Sequence, residues 1–273
     1  NIAAAQIAIA KGLRGPSLTV TTACSSGADA ISTGIMLLKS GEADVILCVG
    51  AEAATSPLTI MSLASARALS TKNDTPESSS CPFDANRDGF VMGEGGGCIV
   101  IETEEHAKAR NAHIHASIIG WANSTDGYHV TSPHPDGIGA VFCMRHCLEK
   151  AGISPDAVDY INTHGTSTPK GDVIETKAIK TLFGSHAHTM AISSTKGSTG
   201  HMMGAGGVTE TIACVKAIQS QIVPPTLNLN HPDPECDLNY IPNTAQSHPV
   251  HIAMSNAFGF GGQNSSILLQ EYK

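Results

Sequence analysis

Three reactive side chains in this sequence stand in turns rather than inside apolar runs. Cys24 lies in TTACSSG, residues 21–27, where a β-branched stretch gives way to a helical pattern. A thiol at a helix start feels the macrodipole and free N–H groups, which favour thiolate and are expected to lower its pKa. The small residues after it leave room for a substrate, and a strand-to-helix turn can present a nucleophile. The competing reading is an inert buried thiol, which suits most of the other cysteines.

His164 lies in THGTSTPKGD, residues 163–172. The hydroxyls of Thr166 and Thr168 could hold a ligand there, and Asp172 falls where a helix N-cap would sit. A purely structural turn histidine is the alternative. Lys196 and His201 share SSTKGSTGHMMGAGG, residues 193–207, ahead of a helical pattern that carries Glu210. Glycines 204, 206 and 207 permit close backbone approach. The spacing does not fit the phosphate-binding G-x-x-x-x-G-K-[ST] loop, and Glu210 reads on its own as a solvated helix charge. NAFGFGGQN, residues 256–264, reads as a sharp, mobile loop around Phe258, Gly259 and Phe260. Such a loop can offer N–H groups to an oxyanion; a plain hairpin turn with two core phenylalanines is the alternative. One thiol and two imidazoles suit acyl-thiol chemistry better than a metal centre. His113-x-His115, His186-x-His188 and Cys143-x3-Cys147 fit no closed zinc spacing.

Strands and helices must alternate to place these turns. SLTVTTA (17–23), DVILCVGAE (44–52), GGCIVIE (96–102), IHASIIGWA (114–122), YINTHG (160–165), MAISSTKG (190–197), HIAMSNAFG (251–259) and SSILLQEY (265–272) read as strands. The opening NIAAAQIAIAKGL, Ala28–Leu38, the 104–112 stretch, Ile138–Lys150, Val173–Phe183 and a span from about Val208 to Gln219 read as helices. One order recurs: strand, turn bearing Cys24 or His201, long helix, two strands. This predicts two α/β halves, 1–110 and 111–273, packed around shared helices. The first half lacks the upstream elements that the second shows, and the start at Asn1 inside a helical stretch reads as processing or a fragment.

Composition narrows the class. The 273 residues, 41% hydrophobic, can bury a substantial core. The net charge of −8 with no basic run argues against nucleic acid. No apolar run reaches the roughly 20 residues of a bilayer span, and no secretory signal opens the chain. Eight scattered cysteines suit reduced thiols in a reducing compartment.

TTACSSG, THGTSTPKGD, SSTKGSTGH and NAFGFGGQN occur in the order and spacing of the β-ketoacyl-acyl-carrier-protein synthases. RALSTKND (67–74), RDGFVMGEGGG (87–97) and PPTLNL (224–229) match as well, so the chain resembles the elongating condensing enzymes of fatty-acid synthesis. The resemblance implies a thiolase-like α/β fold, two halves in αβαβα layers with the first half incomplete, in a homodimer. It implies that Cys24 takes the acyl chain from acyl-carrier protein, that His164 and His201 promote decarboxylation of malonyl-carrier protein, and that Lys196 orders the site with Glu210 as charge partner. The N–H groups of Cys24 and Phe260 would form the oxyanion hole, with Phe260 also gating the acyl pocket. Thr166 and Thr168 would bind the phosphopantetheine arm beside Phe258 and Gly259, with Asp172 in support, and Arg67 would meet the carrier protein. No cofactor or metal is implied, and the location would be bacterial cytoplasm or an organelle matrix. A polyketide ketosynthase and a non-catalytic chain-length partner are the alternatives. The sequence departs from the former's usual DTACSSSL, and the latter lacks the nucleophile. A thiolase would carry a second late cysteine, and Cys236 lies in an unrelated loop.

Overall fold

The computed structural model describes residues 1–273. In chain order its helices are α1 Ile2–Lys11, α2 Ser26–Lys39, α3 Pro57–Ser65, α4 Glu104–Ala109, α5 Ile138–Ala151, α6 Gly171–Phe183, α7 Lys196–Thr199 and α8 Met203–Ser220. The strands are β1 Val45–Glu52, β2 Gly95–Glu102, β3 Ser117–Thr125, β4 Tyr160–Asn162, β5 Ala191–Ser193, β6 Ile222–Val223, β7 Gln246–Ser247, β8 Ile252–Gly259 and β9 Gln263–Gln270.

Strands β3, β9, β8, β4 and β5 form one sheet in that order, with β4 parallel to its neighbours and β8–β9 an antiparallel hairpin. Its central strands are apolar on successive residues, as a sheet covered on both faces requires. Ile161, Met254 and Leu268 pack with α5 and α6 on one side. Tyr160, Ala253 and Ile267 pack with α2 and α8 on the other. Beyond α2 and α8 lies the antiparallel pair β1–β2, whose Cys48 and Ile101 join the same core. The layers are therefore helix, sheet, helix, sheet. The outer face of β1–β2 carries exposed Val45, Cys98 and Val100.

The long helices α2 and α8 meet backbone to backbone. A Cβ on Gly207 would stand 2.4 Å from Ala28 N, and one on Gly27 would stand 2.9 Å from Gly204 O. The glycine-rich start of α8 is thus a helix crossing, and it lets the helix begin at Met203 instead of near Val208.

One expected strand is absent and one helix stands where none was expected. Residues 17–22 form no strand, because no other strand lies beside them, and β-propensity makes no ladder without a neighbour. Helix α3, capped by the Ser56 hydroxyl with Pro57 at its first position, was not foreseen; its apolar residues are exposed, so no buried stripe marked it.

Candidate active site

The polypeptide turns sharply into α2 at Cys24. Ala23 has φ 51°, a left-handed conformation that costs a side-chain-bearing residue about 1–2 kcal/mol. The turn closes on itself: Ser25 N–H and Oγ donate to Thr22 O at 3.2 and 2.9 Å, and Ser26 Oγ donates to Ala23 O at 2.7 Å. Gly259 packs against it, and a Cβ there would lie 2.6 Å from Thr22 O. Cys24 is buried, with Sγ 4.0 Å from Met203 Sδ. Burial pushes the thiol up to about 11, although the Phe260 N–H, the Lys196 charge and the Cys24 N–H all favour thiolate. The lowered pKa expected from the helix start is therefore overturned: loss of water outweighs the turn's dipoles.

His164 follows β4, where the chain leaves the sheet. Its N–H donates to Glu175 Oε1 at 2.8 Å, and Gly165 N–H donates to Glu175 Oε2 at 2.7 Å. Glu175 lies on α6, and burial pushes its carboxyl up to about 7 against those two bonds. His201 is fixed through its backbone: its N–H donates to Val91 O at 2.7 Å, and its carbonyl accepts from Gly93 N–H at 3.0 Å. Its ring meets Phe90 edge-on, centroids 5.2 Å apart. Burial, with the Lys196 charge second, holds both imidazoles well below the usual histidine range, so both are neutral. The two rings lie 5.3 Å apart at 85°. Cys24 Sγ and a ring nitrogen of each histidine all fall within 4.8 Å of one another. Neither nitrogen of His201 and not Nδ1 of His164 has a hydrogen-bond partner.

Lys196 is buried and paired with Glu210, whose carboxyl burial raises and Lys196 lowers. The solvated helix charge is thus excluded for Glu210. Ser80 Oγ donates to Lys196 O at 2.7 Å. Asp172 makes no helix cap; it is buried, accepts Phe83 N–H at 2.8 Å, and lies 3.6 Å from Arg87 Nε. Burial brings Asp172 up to about 6 despite Arg87.

A cavity of about 340 Å³ opens over Cys24 and both histidines. Thr166 and Thr168, their hydroxyls 3.0 Å apart, line it together with Phe258, Gly259, Phe260, Asp172 and Arg67. Phe258 and Phe260 both line this cavity and are only partly buried; Phe258 also packs against the core beneath it. The 260–262 turn is pinned: Gly261 N–H donates to Val130 O at 2.6 Å and Asp126 N–H to Gly262 O at 2.8 Å. Glycine is required there, with φ 92° and 77° at Gly261 and Gly262.

Sequence reasoning missed Glu175, Phe90, Asp126 and Lys170, all of which line the cavity. Glu175 left one trace, an acidic residue in the helix directly after the histidine turn. The zinc-like pairs do not converge. The Cys143 and Cys147 thiols donate to Ala122 O and Ser266 O, and His186 Nε2 sits 2.8 Å from Val158 O.

Residues 1–107 match the family model described as the N-terminal domain of β-ketoacyl synthase, and residues 115–230 match its C-terminal domain. A 3-oxoacyl-[acyl-carrier-protein] synthase 2 of Coxiella burnetii is 48% identical over 269 residues, 98% of this chain and 65% of that protein. The enzyme of the same name from a Synechocystis strain is 48% identical over 273 residues, 100% of this chain and 66% of that one. The chain thus spans just under two thirds of the length of these relatives. Among solved structures, a type II polyketide ketosynthase, AntDE in complex with its acyl-carrier protein AntF, superposes with a TM-score of 0.97 at 38% identity, covering 99% of this chain and 67% of that one. Matched along nearly its whole length in sequence, and alike in fold, the chain belongs to the β-ketoacyl synthase family.

Proposed function

We propose that this chain carries the reaction centre of a 3-oxoacyl-acyl-carrier-protein synthase of fatty-acid elongation, without cofactor or metal. The observation that carries this reading is one thiol beside two neutral imidazoles with unpaired ring nitrogens. A thiol near 11 keeps its proton at neutral pH, so attack on an acyl thioester needs a base at hand, and a ring nitrogen of each adjacent imidazole lies within 4.8 Å of Sγ. The thioester oxygen, as it becomes an oxyanion, takes the N–H groups of Cys24 and Phe260, both of which favour negative charge at the sulfur. The acyl group moves to Sγ, and the carrier leaves as a thiol. Malonyl-carrier thioester then loses CO2, its enolate oxygen stabilised by imidazole N–H. The carbanion attacks the Cys24 thioester, forming a carbon–carbon bond and releasing the thiolate. Thr166 and Thr168 are suited to bind the amide-rich arm, and Phe260 to gate the acyl side. Exposed Arg67, on the cavity rim and without an ion-pair partner, offers a cation to an acidic carrier despite the net −8.

The likeness to a polyketide ketosynthase supports a second reading, in which the same steps extend a polyketide. The higher identity to fatty-acid synthases, 48% against 38%, favours the first. A non-catalytic partner is disfavoured by Cys24 itself. We also propose a homodimer, supported by exposed Leu58 and Met61 on α3 and Val100 on β2. No helix is long and apolar enough to cross a membrane, and relatives named from bacteria and from a mitochondrion support either the bacterial cytoplasm or an organelle matrix. The test is elongation of acyl-carrier protein with malonyl-carrier protein. Cys24→Ala abolishes condensation, while His164→Ala and His201→Ala each stop CO2 release. Full elongation by Cys24→Ala would remove the assignment.

A further inference from the structure

The turn that presents Cys24 is gripped from outside by one carboxylate. Asp29, in the first turn of α2, is 9% exposed. Its Oδ2 accepts the hydroxyl of Thr22 and lies 3.0 Å from Ser25 Oγ, whose one proton it shares with Thr22 O; Thr22 and Ser25 flank Ala23 and Cys24. Its Oδ1 accepts Asn123 Nδ2 from β3, and Asn123 also donates to Ser265 Oγ of β9 at 3.2 Å. No lysine, arginine or histidine pairs with Asp29. Neither Asp29 nor Asn123 lines the cavity.

A left-handed alanine persists only where its surroundings over-determine it. The bonds inside the turn close it on itself but do not place it relative to the histidines. Those stand on other elements: His164 follows β4, and His201 precedes α8. The chain Ser25–Asp29–Asn123–Ser265 runs from the nucleophile turn to the sheet that β4 belongs to. Three donors here share the two oxygens of this one side chain.

We propose that Asp29 is a positioning residue for Cys24: it fixes the height and direction of Sγ relative to the two imidazoles and so sets the rate of acyl transfer, without touching substrate. This rests on the condensing-enzyme reading above. Asp29→Asn keeps an acceptor for Asn123 and turns an NH2 toward two hydroxyls that accept as readily as they donate. Asp29→Ala removes the acceptor that links Thr22, Ser25 and Asn123; the Thr22 hydroxyl loses its partner, while Ser25 Oγ keeps Thr22 O and Asn123 Nδ2 keeps Ser265 Oγ, so the turn is no longer tied to the sheet. Misplacing a reacting atom by about 1 Å costs up to about a hundredfold, so Asp29→Ala should slow acylation of Cys24 by acyl-carrier protein about ten- to a hundredfold. The KM for the carrier and CO2 release from malonyl-carrier protein should stay within about twofold, and Asp29→Asn within about threefold of the parent rate.

Acylation is followed in single turnover, CO2 release and thermal melting in parallel, and iodoacetamide modification of Cys24 by peptide mass spectrometry. Asn123→Ala, which removes only the sheet side of the link, gives an intermediate loss and serves if Asp29→Ala does not fold. Parent-like acylation by Asp29→Ala or Asn123→Ala would overturn the proposal. So would an equal loss of acylation and CO2 release, or an Asp29→Asn variant as slow as Asp29→Ala. If the parent protein does not condense at all, the condensing-enzyme reading fails. The alkylation comparison, which needs no acyl substrate, then still decides whether Asp29 places Cys24.

Discussion

Cys24 is pulled in two directions. Backbone N–H groups and Lys196 favour its thiolate, while burial favours the thiol and prevails, to about 11. Below that value the thiolate fraction grows about tenfold per pH unit. Alkylation of Cys24 by iodoacetamide, followed peptide by peptide from pH 6 to 9, should therefore climb throughout without a plateau. A plateau near pH 7 would show a depressed thiol and would remove the need for an imidazole base. For the histidines the sign runs the other way. Their basicity is depressed by burial, so the neutral rings persist below the ordinary histidine range. CO2 release by a Cys24→Gln variant should hold steady as pH falls to about 6 and fail only at lower pH. A loss centred near the ordinary histidine value would contradict the geometry, which surrounds both rings with apolar and cationic neighbours.

Helices α2 and α8 cross as closely as they do because Gly27 and Gly207 have no side chains. Gly207→Ala would set a methyl group 2.4 Å from Ala28 N, a clash with backbone that neither helix can relieve by a rotamer change. The expected effect is a loss of about 1–3 kcal/mol, seen as a lower urea midpoint. Because α2 begins at the nucleophile turn and α8 follows His201, forcing them apart should also lower acyl transfer to Cys24. An unchanged midpoint would mean that the crossing yields more readily than its packing suggests. The β8–β9 hairpin works on the same principle: Gly259 admits the backbone of Thr22, and the pinned 260–262 turn follows directly.

The cluster of Cys24 with His164 and His201 is assembled from two parts of the chain. Cys24 comes from the part that carries β1–β2, whereas His164, Lys196, His201 and Phe260 come from the part that carries the five-stranded sheet. That larger sheet is covered on both faces, but β1–β2 is covered on one only, and Val100 on its open face is 53% exposed. Exposed apolar patches of this kind favour association. Light scattering behind size exclusion should give twice the 28.2 kDa chain mass. A mass of one chain at all concentrations would remove the proposed homodimer.

The turn motifs and the flanking periods made legible which residues meet at the cavity and most of the elements around it. The four turn motifs named Cys24, His164, His201, Lys196, Thr166, Thr168 and Phe260, and all seven sit in or beside one cavity. This much was legible because a turn's residue types and the period of the flanking strands and helices are local properties. The tertiary structure alone decided the rest. Propensity suggested a strand at 17–23, but residues 17–22 have no strand beside them and Ala23 opens the turn. A helix-start argument predicted an acidic thiol, but desolvation by distant residues reversed it. Glu175 under the His164 turn is invisible without α6 folded back on β4. Asp29 meets Asn123 across 94 residues of chain. Burial, long-range hydrogen bonds and helix crossings depend on what lies close in space, and these set how the legible residues are held and protonated.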